Sequence, residues 1–235
     1  MTGLDAAIRM DRQYRYQRYV YDFSRKYYLF GRDTLLKDLP IRADETVLEM
    51  GCGTARNLVK LAYRYPAARL YGVDASAMML DIAERNLQGT QYRQSIQLHQ
   101  GLAEQVSWKE LGLEEPLDHI IFSYVLSMIP AWPAVLKHAL SLLKPEGCLH
   151  IVDFSDQAEM PAWFRASLLT WLGWFKVQPE PKVLASLEQL ASASGAKLKI
   201  QHLPGRYAFL ALYRKQDQLL NPPPELPHMA NYLDI

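Results

Sequence analysis

Residues 47–57 read Val-Leu-Glu-Met-Gly-Cys-Gly-Thr-Ala-Arg-Asn, and a carboxylate, Asp74, follows 21 residues after Gly53. The stretch begins as an apolar run typical of a buried parallel strand. Gly51 and Gly53 then predict a tight turn where a ligand can approach the bare backbone. A second apolar run, residues 69–74, ends on Asp74. In a doubly wound sheet, an acid at the end of the second strand lies beside the glycine loop and can accept hydrogen bonds from both hydroxyls of a ribose.

The glycine loop differs from the loop that binds dinucleotides. A dinucleotide site has the pattern Gly-x-Gly-x-x-Gly, whereas the sixth position here is Arg56. The acidic Glu49, just before the glycines, also argues against a phosphate anion nearby. Together with the two glycines and Asp74, Glu49 resembles the S-adenosylmethionine site of class I methyltransferases, and this resemblance covers roughly residues 40–155. The alternative is a glycine turn in an unrelated α/β protein.

The pattern of apolar runs beyond the loop predicts alternating strands and helices. Such alternation, with short connections, indicates a parallel sheet with right-handed crossovers. The predicted strands are 45–50, 69–74, 96–100, 118–123 and 148–153, with a turn at Gly147 leading into the last of them. The predicted helices are 55–65, 76–87, 103–110 and 132–143.

The C-terminal third adds two helices and a hairpin. An aromatic helix is predicted over 160–175 and an amphipathic helix over 182–194, ending at Gly195. Two β-like runs within 196–215 meet at a Pro-Gly turn, so the last strand is predicted to be antiparallel. The fold prediction is therefore α/β: a Rossmann-like seven-stranded, mostly parallel sheet with an antiparallel C-terminal strand and helices on both faces. The predicted divisions are a helical N-terminal arm over 1–40, the methyltransferase domain over 41–215 and a Pro-rich tail over 216–235.

The resemblance to class I methyltransferases implies roles for individual residues near the cofactor. It places the loop from Gly51 through Cys52 to Gly53 under the methionine half, Glu49 near the ammonium group, and Asp74 on the ribose. It also implies that Ala75 and Met79, at the start of the next helix, flank the adenine.

Two further segments complete the implied cofactor site. Leu102 and Ala103 stand where the family caps the adenine, although many members carry an Asp at the position of Leu102. Ser123 and Tyr124, at the end of the fourth strand, are expected to form the floor of the site beside the methyl donor, since ligands bind at the carboxyl edge of such sheets.

Composition limits the class of protein. The chain has 235 residues with 49% hydrophobic residues, enough for one large domain. Its net charge of +1 gives no general attraction for nucleic acid. The two cysteines, Cys52 and Cys148, are interpreted as small buried residues, which fits a reducing cytoplasm. The first residues do not form a secretory signal, and no apolar run approaches the roughly 18 residues that span a bilayer. We therefore expect a cytoplasmic protein.

The segment 11–33 carries an unusual stripe of tyrosine and arginine. Six of the 14 tyrosines lie here, and arginine recurs at 12, 15, 18, 25 and 32. An amphipathic lid whose tyrosines pack on the sheet is one interpretation. The other is functional, because tyrosine rings bind cations and basic residues beside aromatic ones suit an anionic membrane surface.

A closer resemblance covers both ends of the chain. Residues 14–33 look like the opening of the bacterial betaine-lipid N-methyltransferases, and 51–57, 150–154 and 206–209 are also similar to that group. The resemblance implies a lipid-linked amine substrate, the head group of diacylglyceryl-homoserine, which is methylated to a trimethylated betaine lipid, with possible peripheral contact at the inner membrane face. The chain departs from this group at Ala55, where Gly is more usual.

An amine must lose its proton before it accepts a methyl group, and three residues are candidates to assist: Tyr21, Tyr124 and Asp153. Asp153 could instead cap the next element, and bulk water could take the proton. No His, Cys or Asp cluster has metal-ligand spacing, so no metal site is predicted, and His150 and His202 are interpreted as structural.

Three further alternatives stay open at this point. The chain could methylate a soluble small-molecule amine or another metabolite, or it could be a non-catalytic protein that binds the cofactor and supports another enzyme. The helix that carries Trp163, Trp171 and Trp174 could line the acyl-glycerol side of a pocket or rest at a membrane interface. Core packing or burial in a dimer explains the same helix.

Overall fold

The computed structural model describes residues 29–37, 39–174, 177–179 and 182–216. Most of the predicted N-terminal arm, including Tyr21, and nearly all of the predicted Pro-rich tail lie outside these residues.

Seven strands form one mixed sheet, which confirms the predicted fold class. The spatial order is β3-β2-β1-β4-β5-β7-β6, with β7 antiparallel to both of its neighbours and the pairs from β3 to β5 parallel. The chain order therefore reverses direction between β1 and β4, the switch point at which such sheets bind ligands. The strands are β1 Thr46–Met50, β2 Arg69–Asp74, β3 Ile96–Gln100, β4 Leu117–Ser123, β5 Leu143–Phe154, β6 Lys197–His202 and β7 Ala208–Arg214.

Helices cover both faces of the sheet. They are α1 Arg32–Lys37, α2 Arg56–Arg64, α3 Ala77–Gln88, α4 Trp132–Leu142, α5 Ala162–Trp174 and α6 Lys182–Ser194. Buried residues of α1, α2, α3 and α5 join one core cluster, and those of α4 and α6 join the other. Within the described residues, none of the helices has both the length and the apolar character needed to cross a membrane.

The two cores follow from the alternation of side chains along the strands. Val47 of β1 and Ile121 of β4 belong to the core under α2 and α3. Leu48 and Ile120, each one position away, belong to the core under α4. Because the central strands are buried on both faces, they read as continuous apolar runs in the sequence.

Two predicted element boundaries were wrong for local reasons. Residues 103–110 form separate turns rather than a helix. The Ser107 hydroxyl accepts from the Glu110 amide while the Glu110 carboxylate accepts from the Ser107 amide, and this reciprocal pair starts a new turn. The turn expected at 144–147 lies inside β5, which begins at Leu143 and contains a register shift against β4.

Candidate functional site

The glycine loop after β1 is tied to the end of β2. The amides of Gly51 and Cys52 both donate to the carbonyl oxygen of Val73, at 2.8 and 3.0 Å. Gly51 has a φ of +70°, and a Cβ built there would lie 2.5 Å from Cγ2 of Val125. The loop therefore needs glycine at this position for both its backbone conformation and its close packing.

Asp74 connects this loop to the start of α3. One carboxylate oxygen accepts from the Gly53 amide at 2.8 Å and the other accepts from the Ser76 amide at 2.9 Å. Ser76 in turn caps α3, since its hydroxyl accepts from the Met79 amide. Each carboxylate oxygen can accept more than one hydrogen bond, so Asp74 keeps the capacity to bind ligand hydroxyls while it orders the loop.

A cavity of about 240 Å³ lies over these groups at the carboxyl edge of the sheet. It brings together eight of the predicted site residues: Gly51, Gly53, Asp74, Ala75, Met79, Leu102, Ala103 and Tyr124. Four other predicted residues that the structure describes, namely Glu49, Cys52, Ser123 and Asp153, are buried and lie outside this lining. The cavity therefore joins the loop after β1, the end of β2 and the segment after β3.

Glu49 lies within the sheet, below the glycine loop. Its side chain is 1% exposed, and Oε1 accepts from Nδ2 of Asn57 at 2.6 Å. Asn57 is in the first turn of α2, so this hydrogen bond fixes the helix that follows the loop.

Tyr124 links the cavity to the beginning of the described chain. It has a φ of +60°, and its hydroxyl donates to the carbonyl oxygen of Phe30. Its ring meets Phe154 edge to face, with centroids 4.7 Å apart, and Phe30 meets Tyr207 in the same way at 5.3 Å. An aromatic cluster of Phe30, Tyr124, Phe154 and Tyr207 thus lies behind Tyr124, which is the member that lines the cavity.

Asp153 supports the cavity wall from behind. Its carboxylate accepts from the Ser127 amide at 3.1 Å and from the Phe154 amide at 2.8 Å. Burial raises its pKa to about 6, although these hydrogen bonds act in the opposite direction. The carboxylate holds the 3₁₀ turn Leu126–Met128, which precedes Asp153 in the chain, so the bond differs from the expected cap on the next element.

Sequence reasoning missed most of the wall formed after β4. The lining includes Val125, Met128, Ile129, Pro130 and Ala131. These residues show no helical or strand period, so their only signal was their place directly after a strand at the carboxyl edge of the sheet. Val73, Gly101 and Glu104 also line the cavity. Among the described residues of the lining, the ionisable side chains are Asp74, Glu104 and Tyr124, and none is basic.

These residues fit S-adenosylmethionine. Gly51 and Gly53 leave bare backbone beside the cavity, Asp74 offers acceptors for hydroxyls, and apolar groups from Met79, Leu102 and Ala103 surround the space that a purine would fill. The acidic lining suits the positive charges of the sulfonium and ammonium groups.

Comparisons with known proteins show the family of the chain. The sequence model of the family described as “Methyltransferase domain” matches residues 14–198. Demethylmenaquinone methyltransferase of Lactobacillus johnsonii is 29% identical over 149 residues, 63% of this chain and 57% of that protein. Trans-aconitate 2-methyltransferase of Methylobacterium nodulans is 32% identical over 128 residues, 54% of this chain and 45% of that protein. The chain thus spans about half the length of the curated relatives it matches.

A solved structure shows the same fold across nearly the whole chain. It is the plantazolicin methyltransferase BpumL, in complex with a triazolic desmethylPZN analogue and SAH. The TM-score is 0.64 at 12% identity, and the superposition covers 92% of this chain and 98% of that one.

Proposed function

The chain belongs to the methyltransferase-domain family, and from that premise we propose that it is an S-adenosylmethionine-dependent N-methyltransferase. Its proposed substrate is the amine of a diacylglyceryl-homoserine-type lipid head group, which it converts to a trimethylated betaine lipid. The acidic lining of the cavity is the observation that favours an amine as the methyl acceptor. The lipid is supported by the sequence resemblance and by exposed aromatic residues.

The cavity favours an amino group over a carboxylate, so the carboxylate of a homoserine head group would point away from Asp74 and Glu104. Asp74 and Glu104 line it, Glu49 is buried beneath it, and the described lining has no Lys, Arg or His. In a partly buried site such carboxylates attract a positive charge and repel a negative one. An amine that becomes a fixed cation after successive methylations suits these surroundings, because the aromatic ring of Tyr124 also lines the cavity.

The residues that would hold the cofactor are those already described. Asp74 would accept from the ribose hydroxyls, the Gly51–Gly53 backbone would lie beside the methionine half, and Met79, Leu102 and Ala103 would contact the adenine. When bound, S-adenosylmethionine supplies a methyl group on a sulfonium, which a neutral amine nitrogen can accept. The task of the protein is then to position the amine and exclude water.

Neither of the two candidate bases among the described residues is placed to take the proton of the amine. The amine would therefore lose its proton before it binds. The Tyr124 hydroxyl donates its hydrogen to the Phe30 carbonyl, so Tyr124 shapes the site and orients the segment before α1. Asp153 is occupied by two backbone amides away from the cavity, so it positions the turn after β4. Bulk water would take the proton, and Tyr21 stays a candidate that lies outside the described residues.

Exposed aromatic residues lie on α5 and in the segment before α1. On α5, Trp163 is 72% exposed and Trp174 is 70% exposed. Beyond α5, the Gln178 amide donates to the Ser127 carbonyl oxygen at 3.0 Å, which ties the segment after this helix to the 3₁₀ turn beside the cavity. Phe30, also exposed, lies against the same aromatic cluster. Apolar surface of this kind suits acyl chains or a membrane interface.

A small soluble acceptor is the second candidate, and the relatives favour it. One of them is named for trans-aconitate and another for demethylmenaquinone. The acidic cavity described above argues against a polyanionic acceptor, but a soluble amine would satisfy the same charges.

Transfer of labelled methyl from S-adenosylmethionine tests the reaction and the substrate class together. We expect label in a lipid that migrates as a betaine lipid when the extract contains diacylglyceryl-homoserine, and much less label with Asp74→Ala at a cofactor concentration that does not saturate the variant. Loss of the acceptor for the ribose hydroxyls should weaken cofactor binding by about 1–3 kcal/mol, roughly 5- to 150-fold. Cofactor binding with label only in soluble amines would replace the lipid with the second candidate. Binding without transfer to any acceptor would favour a non-catalytic role.

Vesicle flotation tests the membrane contact separately. Trp163→Ser/Trp174→Ser should lose binding to vesicles that contain anionic lipid. The matched control is Tyr63→Ser, which removes an aromatic side chain that is 77% exposed on α2. If both variants bind vesicles equally well, α5 does not contact the membrane. That result would not affect the proposed cofactor site.

A further inference from the structure

A second group of polar side chains is buried far from the cofactor site. His119 in β4 is 4% exposed, and Cys148 and His150 in β5 are each 2% exposed. Strand register pairs His119 with Cys148 and Ile121 with His150, so the three side chains share one face of the sheet. Their ligand atoms all lie within 4.8 Å of one another. The spacing of these residues along the sequence did not predict a metal cluster, because they come together only through the register between β4 and β5.

The two imidazoles face each other at a distance close to that of metal ligands. Nδ1 of His119 lies 3.1 Å from Nε2 of His150. Two nitrogens bound to one tetrahedral zinc ion at the usual bond length would lie about 3.3 Å apart, so the opening needed is small. Burial, with help from His119 and Arg214, lowers the pKa of His150 to about 3.

Glu45 gives His119 the orientation that a ligand requires. Its Oε2 lies 3.0 Å from Nε2 of His119. A carboxylate at this nitrogen holds the proton there, so Nδ1 of His119 accepts a hydrogen bond from Nε2 of His150. A metal ion would replace that hydrogen, and the proton of His150 would move to its Nδ1. Histidines that bind metals usually have such a partner on the other ring nitrogen.

Arg214 is the positive group beside this cluster. It pairs with Cys148 in the register between β5 and β7, and hydrogen bonding to the Cys148 sulfur raises the pKa of Arg214. The charge of Arg214 also lowers the pKa of His150 and therefore opposes a cation here, and the charge of a metal-bound thiolate would offset it.

We propose that His119, Cys148 and His150 bind a divalent transition-metal ion of the zinc class. Two imidazole nitrogens and one thiolate form a ligand set that such ions prefer over Mg²⁺ or Ca²⁺. A cavity of about 380 Å³, lined in part by Glu45, His119, Cys148 and Arg214, gives access and room for a fourth ligand. The ion fastens β4 to β5 at the amino edge of the sheet, opposite the glycine loop.

Titration of the metal-free, tag-free full chain with Co²⁺ tests this site. We expect one equivalent to bind, with a thiolate-to-cobalt charge-transfer band in the near ultraviolet. Cys148→Ser should lose that band, and the matched control Cys52→Ser, which removes the other buried free thiol, should keep it. Absence of saturable binding by the unaltered chain would overturn the proposal, and so would a band that survives in Cys148→Ser.

A second variant keeps the test decisive if Cys148→Ser does not fold. Glu45→Gln leaves all three ligands in place and should weaken Co²⁺ affinity by about 10- to 100-fold, the effect typical of losing such a partner. Affinity that equals that of the unaltered chain would contradict the assigned geometry. Zn²⁺ should also raise the thermal unfolding midpoint of the unaltered chain, and no increase would count against the site.

Discussion

Gly51→Ala should destabilise the protein through two effects, an unfavourable backbone conformation and a steric clash. Substitutions at two other glycines measure these effects separately. The φ of +70° at Gly51 makes an alanine there unfavourable by about 1–2 kcal/mol. The new Cβ, 2.5 Å from Cγ2 of Val125, forces a side chain of the cavity wall to move, which adds about 1–3 kcal/mol. We therefore expect a loss of about 2–5 kcal/mol in the free energy of unfolding, together with weaker binding of S-adenosylmethionine.

Two matched substitutions isolate the terms. Gly112 has a φ of +74° but open space around it, so Gly112→Ala reports the backbone effect alone. Gly89 has ordinary φ and open space, so Gly89→Ala reports only the gain of about 0.4–1 kcal/mol from a less flexible unfolded chain. All three share that gain, so it cancels in the differences. Urea unfolding of the three variants gives both terms.

The steric term should depend on Val125. In a Val125→Ala background, Gly51→Ala should lose no more stability than Gly112→Ala does, because the two Cγ atoms are gone. If Gly51→Ala alone is no more destabilising than Gly112→Ala, or if Val125→Ala gives no relief, then the packing described between the loop and the wall is incorrect.

Three further predictions concern stability. Ala55 is a non-glycine residue with a φ of +60°, so Ala55→Gly should relieve backbone strain. The free energy of unfolding, measured in urea, should rise by about 0.5–1 kcal/mol, which is this relief minus the entropy that the unfolded chain gains. A lower free energy of unfolding would contradict the conformation. Burial raises the Asp153 pKa from 3.8 to about 6, so the folded chain holds a proton that the unfolded chain releases over this range. Stability from this group should fall by up to about 3 kcal/mol as pH rises from about 4 to 6, and the neutral Asp153→Asn should remove that slope in unfolding curves measured across the range. Asp33, which pairs with Arg56 and Lys60 at a partly exposed site, should be replaceable by Asn at a loss below about 1 kcal/mol that shrinks in high salt; a larger, salt-independent loss would exclude a surface ion pair.

Local sequence signals predicted the centre of the fold well. The first two strands and the glycine loop were recognisable because their apolar runs, turn glycines and terminal acid follow short-range rules. Residues 103–110 failed for a short-range reason as well, since the reciprocal hydrogen bonds of Ser107 and Glu110 compete with a continuous helix.

Contacts between distant segments could not be predicted in this way. The wall over 125–131 has no periodicity and becomes a wall only because the Asp153 carboxylate, from the next strand, holds its first turn. The neighbours His119 and Cys148 depend on strand register, which one sequence does not reveal. Sequence reasoning therefore found the groups that the chain brings to the cofactor and missed the partners that hold them in place.

The position of β7 has a consequence for synthesis of the chain. This strand lies between β5 and β6 and pairs with both of them, although β6 precedes it along the chain. While a ribosome is still adding residues 208–214, β6 has no partner and one edge of β5 is open. An unpaired edge on an apolar strand invites association with other nascent chains. Release of the completed C-terminal segment is therefore the event that closes the sheet, and early termination before residue 208 would yield an aggregation-prone product.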